Sequence, residues 1–521
     1  MVDYFNNLYN FKNPIRHFFN LDNFNYDSVG NGNIKDLAWT APVTFKIFKN
    51  EHEERVIGFP NILNYYHALN AFSKEENFYK IQHIGQRKRV CPDIKVGEFS
   101  VMSYSKALQR DAFNLTKYDI LLIVDIKSFY GRLYTHDLNF NSSNDLEKRL
   151  TSLNKGRTSG ILLGSYLSLF VAEKYLKRIE DDLIQSLKDN DVSCYFEYFS
   201  DDFYFFCGKN DLTVIQKVFE NVLEKFELQI NHEKTKVIDF EEYMSENSLE
   251  KIWKKVVKIS QEKDKELENH NNRIKPKKIH PAFFTQLVYR LKQIEDIKYK
   301  RIFLSNFFKT YYFYSIKPQN YILSDSDLNY IFYIYKLMPE TILYSLSKIK
   351  EMSDFNFEKF KDFIISRFRS SLLNSRNDEQ IYFYYAIKVC GFKDVLVDFK
   401  ELVMKSRNQV LISYFLLDKI ILKDDYVCNG VENQEDKWLQ NYHYLLLYDR
   451  DNVDLLLPQN TKRESQKESY RLFYKKNLDN GIPILKPIEE VSIAVNRFIS
   501  DKIDSYCSKN VNEDSEEYSS S

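Results

Sequence analysis

Glycine and proline are scarce in this chain, at 13 and 11 of 521 residues. That scarcity excludes collagen-like and low-complexity architectures and fits a helix-rich protein with few tight turns. Cysteine is scarce too: the six stand at 91, 194, 207, 390, 428 and 507, with no CxxC pair and no histidine cluster nearby. A zinc finger or a disulfide framework is thereby excluded, and free thiols in a reducing compartment are expected. Net charge is absent, since 74 Lys and Arg offset 74 Asp and Glu. Any contact with nucleic acid must then rest on local basic patches and not on bulk charge. No run of about 18 apolar residues is available to span a bilayer. No signal peptide opens the chain, so a soluble cytoplasmic protein with no membrane partner is expected.

What the chain does have is core material: 44% of it is hydrophobic, with 38 Tyr and 41 Phe. Its length suggests roughly two to four domains. Residues 1–54 are mixed and aromatic without a clear period, and read as a segment packing on the neighbouring strands and helices. From 55 to about 245 strand-like and helix-like runs alternate. Tyr118–Asp125 reads as a strand, and Cys194–Cys207 as two short strands around a tight turn. Gly164–Ile179 and Leu212–Phe226 carry apolar residues at helical spacing. Composition shifts near 246. Over 251–301 Lys and Arg outnumber Asp and Glu more than twofold, and Glu262–Lys278 is charged and apolar-poor, reading as an exposed loop or helix extension. Helical periods then recur over Leu328–Leu337, Pro339–Ile349, Asn356–Leu373, Glu379–Val389, Val395–Met404, Val410–Leu422 and Trp438–Tyr448. Short breaks between them imply antiparallel neighbours in an all-α domain over 246–503. The acidic, Ser-rich residues 504–521 read as a disordered tail.

The chemistry concentrates in two places. Ile120-Leu-Leu-Ile-Val-Asp125 is an aliphatic strand that ends on a lone acid, and Phe199-Ser-Asp-Asp202 sets two acids at the tip of an aromatic hairpin. Alone, a strand-terminal Asp is an ordinary turn former and an Asp-Asp pair an ordinary solvated turn. Together, between apolar strands, they point to function. Like charges at buried strand tips are costly unless a cation sits there. Three carboxylates from neighbouring strand ends would hold two divalent ions about 3.5–4 Å apart for phosphoryl transfer. Asp125 and Asp201 are the expected bridging pair and Asp202 the supporting acid, as in a nucleotide polymerase palm.

From 55 to 240 the chain resembles a reverse transcriptase, specifically the abortive-infection (Abi-type, unknown-group) reverse transcriptases of bacterial antiphage defence. Five ordered blocks carry the resemblance: Arg55-Val-Ile-Gly-Phe-Pro60; Asp125-Ile-Lys-Ser-Phe-Tyr130; Gly160-Ile-Leu-Leu-Gly164-Ser165; Phe199-Ser-Asp-Asp202; and Asn231-His-Glu-Lys234-Thr. The resemblance implies an α+β fold, reverse-transcriptase fingers and palm followed by an all-α helical-repeat C-terminal domain. It implies Mg2+, with Mn2+ as substitute, and dNTPs as substrates. It gives Arg55 the triphosphate, Tyr130 the gate against a ribose 2′-hydroxyl, Gly164 the loop under the nucleotide, and Lys234 the pyrophosphate. Arg87, Arg89 and Lys95 form a basic patch whose ordinary reading is solvated surface.

Leu162-Leu163 stands where many reverse transcriptases carry Pro-Gln, so the side chain that braces template against nucleotide is missing. Abi-type enzymes lack it too, which implies synthesis without a template. The resemblance further implies priming from a tyrosine hydroxyl, DNA product covalently attached to the protein, and a homo-oligomer, trimer or hexamer. No motif selects the priming residue; Tyr4, Tyr9 and Tyr26 lie near one end, and Tyr506 and Tyr518 near the other. Two alternatives stay open: a bound noncoding RNA copied into cDNA, and a non-catalytic nucleic-acid-binding or assembly protein.

Overall fold

A computed structural model describes residues 4–27, 34–50, 53–138, 145–247, 278, 280–294, 297–426 and 436–517. The basic stretch 251–277 and Tyr518 lie outside the described residues. Three sheets and a helical body make up the architecture among the described residues, the smallest sheet pairing Pro92–Asp93 with Glu98–Phe99. The first sheet is an antiparallel hairpin of β1 (Val43–Asn50) and β2 (Glu53–Phe59), in which Ile47 opposes Arg55 and Val43 opposes Phe59. Val43, Phe45 and Ile47 alternate with polar or outward residues, the period of a half-buried strand. This hairpin therefore begins inside residues 1–54, which composition alone sets apart. Helix α1 (Ile62–Phe72) comes next, and the Asn61 side chain caps it by accepting from the Leu63 amide.

The second sheet is built from β3 (Ile120–Asp125), β4 (Tyr195–Phe199), β5 (Asp202–Cys207) and β6 (Lys236–Ile238), in the spatial order β4-β5-β3-β6 and antiparallel throughout. The central strands are apolar on both faces because both are covered. On one face Leu122, Val124, Phe203 and Phe205 join the main core, and Phe219 stacks 4.7 Å from Phe203 and 5.3 Å from Phe205. Phe219 comes from α3 (Leu212–Glu224), and before it in the chain α2 (Tyr166–Asp189) is capped by Ser165, whose hydroxyl accepts from the Ser168 amide. On the opposite face Leu121, Phe206 and Ile238 form a smaller cluster with Leu115 and Tyr243.

The remainder is helical: α4 (Ile297–Phe308), α5 (Asp325–Leu337), α6 (Thr341–Ile349), α7 (Phe357–Leu373), α8 (Asn377–Val389), α9 (Gln409–Leu417), α10 (Trp438–Tyr448), α11 (Glu464–Asp479) and α12 (Ile488–Glu517). Their starts have local causes. Ser324 and Asp327 form a capping box on α5, and the Asn356 and Asn408 side chains cap α7 and α9. Two expectations differ from the backbone. Lys393–Phe399 winds as a 3-10 segment before a short α-helix, Lys400–Lys405, as connectors often do. Residues 504–517, read from composition as a disordered tail, continue α12, which meets neither Gly nor Pro along its length.

The helical body does not stand apart. Phe19 bridges Leu485, the Asn20 amide donates to the Ile484 carbonyl at 2.7 Å, and the Lys486 amide donates to the Phe18 carbonyl at 2.8 Å. Buried Glu98 receives Arg16 from the N-terminal segment, Lys309 from the loop after α4 and Lys502 from α12, and these cations hold its carboxyl well below the usual range against the cost of burial. No helix among the described residues is long and apolar enough to cross a membrane.

Candidate active site

The four-stranded sheet brings its acids to one end. Asp125 closes β3 and opposes Asp202, the first residue of β5. Ser200 and Asp201 form the two-residue turn between β4 and β5, and Ser200 takes the left-handed conformation that such a turn demands, with φ 55°. The Ile126 amide donates to the Asp201 carbonyl at 3.0 Å, which pins the turn against the end of β3. The turn that carries Asp201 thus lies against the strand end that carries Asp125.

Their electrostatics show the proximity. Burial pushes the Asp201 carboxyl above its ordinary value and the Asp125 charge pushes it further, opposed by the Ser200 hydrogen bond and the Arg55 charge. Asp125 is 7% exposed, and three hydrogen bonds fix its carboxylate. Asn231 Nδ2 donates to Oδ1 at 2.9 Å, and Lys234 Nζ donates to Oδ1 at 3.0 Å and to Oδ2 at 2.9 Å. The Asn231 amide also donates to the Asp125 carbonyl at 2.8 Å, so one residue holds both main chain and side chain.

The remaining sequence candidates gather around this pair. The Tyr130 hydroxyl shares a hydrogen bond with Ser200 Oγ at 3.2 Å; burial raises its pKa, the Asp201 charge adds to the rise, and the Arg55 charge opposes it. Arg55 is exposed on β2, yet its charge acts on both Asp201 and Tyr130, which puts it at the site mouth. Gly164 ties the hairpin to this centre. The Gly58 amide donates to the Leu163 carbonyl at 3.2 Å, and the Phe11 amide to the Gly164 carbonyl at 2.8 Å. Gly164 adopts φ +113°, a backbone conformation that favours glycine. Lys234 is seated on Asp125 and acts in this structure as its counter-charge.

Carboxylate oxygens suit a hard divalent ion such as Mg2+, and Asp125 with Asp201 offers them where two like charges call for a cation. Among the described residues no group of three His, Cys, Asp or Glu side chains is gathered closely enough to hold a metal ion. Asp201 lies in the turn and its carboxyl feels the Asp125 charge, while Asp202 opens β5 directly opposite Asp125.

Sequence reasoning missed the parts played by Ser200 and Asn231, although both stand inside the quoted blocks. It also missed Lys12, whose ammonium lies 5.3 Å from the Phe99 ring centroid and 5.7 Å from that of Phe199. Nothing in the sequence near Lys12 signals this, because the contact depends on tertiary placement. Of the tyrosines near the first end, Tyr9 and Tyr26 are buried with their hydroxyls donating to the Pro60 and Leu21 carbonyls, whereas Tyr4 is exposed.

No family model matches the chain, and no curated protein matches it. Among solved structures it is similar to apo telomerase from Candida tropicalis, at 14% identity and a TM-score of 0.29, over 68% of this chain and 66% of that one. It is likewise similar to telomerase from Candida albicans in complex with a fragment of telomeric RNA, at 13% identity and a TM-score of 0.28, over 72% of this chain and 63% of that one. The chain thus spans about two thirds of the telomerase chains it matches, at scores too low to carry their family over to it.

Proposed function

We propose that this protein is a reverse-transcriptase-type nucleotidyltransferase that adds dNTPs to a growing DNA end by two-metal phosphoryl transfer. The observation that carries the reading is the meeting of Asp125 and Asp201 at one sheet end, with Tyr130, Arg55 and the Gly164 loop around them. In this reading the four-stranded sheet is the palm and the β1–β2 hairpin the fingers. Asp125 and Asp201 would hold Mg2+, which would supply activation of the attacking hydroxyl and stabilisation of the departing pyrophosphate. Asp202 supports the pair from β5. Arg55 offers a guanidinium fork to the triphosphate oxygens. Tyr130, fixed by Ser200, meets the sugar and excludes a 2′-hydroxyl. Lys234, seated on Asp125 in this structure, would offer its ammonium to the phosphates.

We further place the activity in bacterial antiphage defence, with protein-primed, untemplated synthesis by a homo-oligomer. The support is the resemblance of the five blocks together with Leu162-Leu163 at the template-bracing position. Incubation of the purified protein with labelled dNTPs and Mg2+ tests it. Labelled product that stays with the protein on a denaturing gel and survives RNase supports the reading. A product of defined sequence that RNase abolishes replaces it with copying of a bound noncoding RNA. Phage protection that persists without Asp125 and Asp201 replaces it with a non-catalytic assembly role.

A further inference from the structure

The hairpin that carries Arg55 is held from outside by the helical body. β1 and β2 make a sheet of two strands, so β1 has an open edge whose outward amides and carbonyls lack ladder partners. Helices α4 and α8 supply those partners with side chains. The Lys46 amide donates to Asn377 Oδ1 at 3.0 Å, and the Phe48 amide donates to Asp378 Oδ2 at 3.1 Å. Arg301 Nη1 donates to the Phe48 carbonyl at 2.6 Å and to the Lys49 carbonyl at 3.2 Å, with its guanidinium 4.6 Å from the Phe48 ring centroid. Asn377 and Asp378 are themselves buried, at 6% and 4% exposure, and open the first turn of α8. The clamp is braced from behind, where Asn408 Nδ2 donates to the Asn377 carbonyl at 3.2 Å.

Three side chains on two helices thus stand where a third strand would pair. Their target is the strand opposite Arg55, through the Ile47–Arg55 register. A guanidinium reaches a phosphate only if its own strand is fixed, because a shift of about 1 Å at a binding group is costly. We propose that Arg301, Asn377 and Asp378 are positioning residues: by pairing with the open edge of β1 they fix the hairpin and thereby set Arg55 for a nucleoside triphosphate. The identity of that ligand rests on the proposed function; the clamp does not.

The test uses the full-length protein with Arg301→Ala, Asn377→Ala and, as a control, Lys388→Ala, which breaks an ion pair to Asp418 near the C-terminal end of α8. Two readouts are taken: amide hydrogen exchange at Lys46 and Phe48, and equilibrium binding of dATP by calorimetry. The first two variants are expected to speed exchange at those amides by about tenfold or more and to weaken dATP binding by about tenfold, while Lys388→Ala changes neither. Unchanged exchange at Lys46 and Phe48 overturns the clamp. Faster exchange with unchanged dATP binding overturns the positioning role. A wild-type protein that binds no dATP overturns the nucleotide reading and the positioning role together, and the exchange data then report the clamp alone.

Discussion

At Asp125 three hydrogen bonds from two residues converge on one carboxylate. Lys234 supplies two of the three, at 3.0 and 2.9 Å, from a side chain that is itself about half exposed. Such a pair exchanges readily, since an exposed ammonium gains little from any one partner. Lys234→Ala is expected to slow nucleotide addition by about 100-fold without abolishing it, measured as single-turnover rate; an unchanged rate would return Lys234 to a purely electrostatic part. Asp201 behaves oppositely. Its raised pKa means the charged form costs the fold, so Asp201→Asn should raise the thermal midpoint of the metal-free protein at neutral pH while abolishing synthesis. The gain should fade as pH falls through the raised Asp201 pKa, where the wild-type carboxyl is neutral too. Tyr130→Ala should admit ribonucleotides, cutting discrimination by about 10- to 100-fold in competition with the matching dNTP; unchanged discrimination would remove the gate. These residues were legible because each sits in a short block whose chemistry is local. The pairing of Asn231 with Asp125 was not, since the two stand 106 positions apart in the chain.

Elements were legible where period and boundary agree. β3 reads as a run of aliphatic residues ending on an acid, and α10 spans Trp438–Tyr448 as its spacing suggests. β1 was missed although Val43, Phe45 and Ile47 alternate, because residues 1–54 as a whole show no period. The adjacent acids were legible only as a pair: Asp201 lies in the turn and Asp202 opens the strand opposite Asp125, a difference that periodicity does not encode. At the element scale α8 makes a testable claim. Burial pushes the Asp378 carboxyl up to about 7, Glu379 adds to it, and Arg301 and two backbone amides oppose. An unfolded Asp titrates near 3.9, so between about pH 4 and 7 the folded chain holds a proton the unfolded chain has lost. Stability from this group is therefore fully present at low pH and declines as pH rises toward 7. Asp378→Asn should flatten that part of the wild-type profile, measured by chemical denaturation across the range; parallel profiles would contradict it.

For the whole molecule the sequence separated a strand-bearing half from a helical half, and in composition they differ. In space they interlock. Phe18 and Phe19 pair with residues near 485, Tyr470 donates to Asn64 on α1, and the Glu98 hub collects cations from both halves. No sequence period encodes contacts across more than 400 positions; they arise from burial of aromatic faces that neither half covers alone. The account as a whole depends on Asp125 and Asp201 sharing metal. Anomalous scattering from crystals grown with Mn2+ and a non-hydrolysable dNTP analogue measures this directly. Manganese between the two carboxylates, with Lys234 withdrawn from Asp125, is the predicted result; density with Lys234 still seated on Asp125 and no manganese at the pair would contradict it.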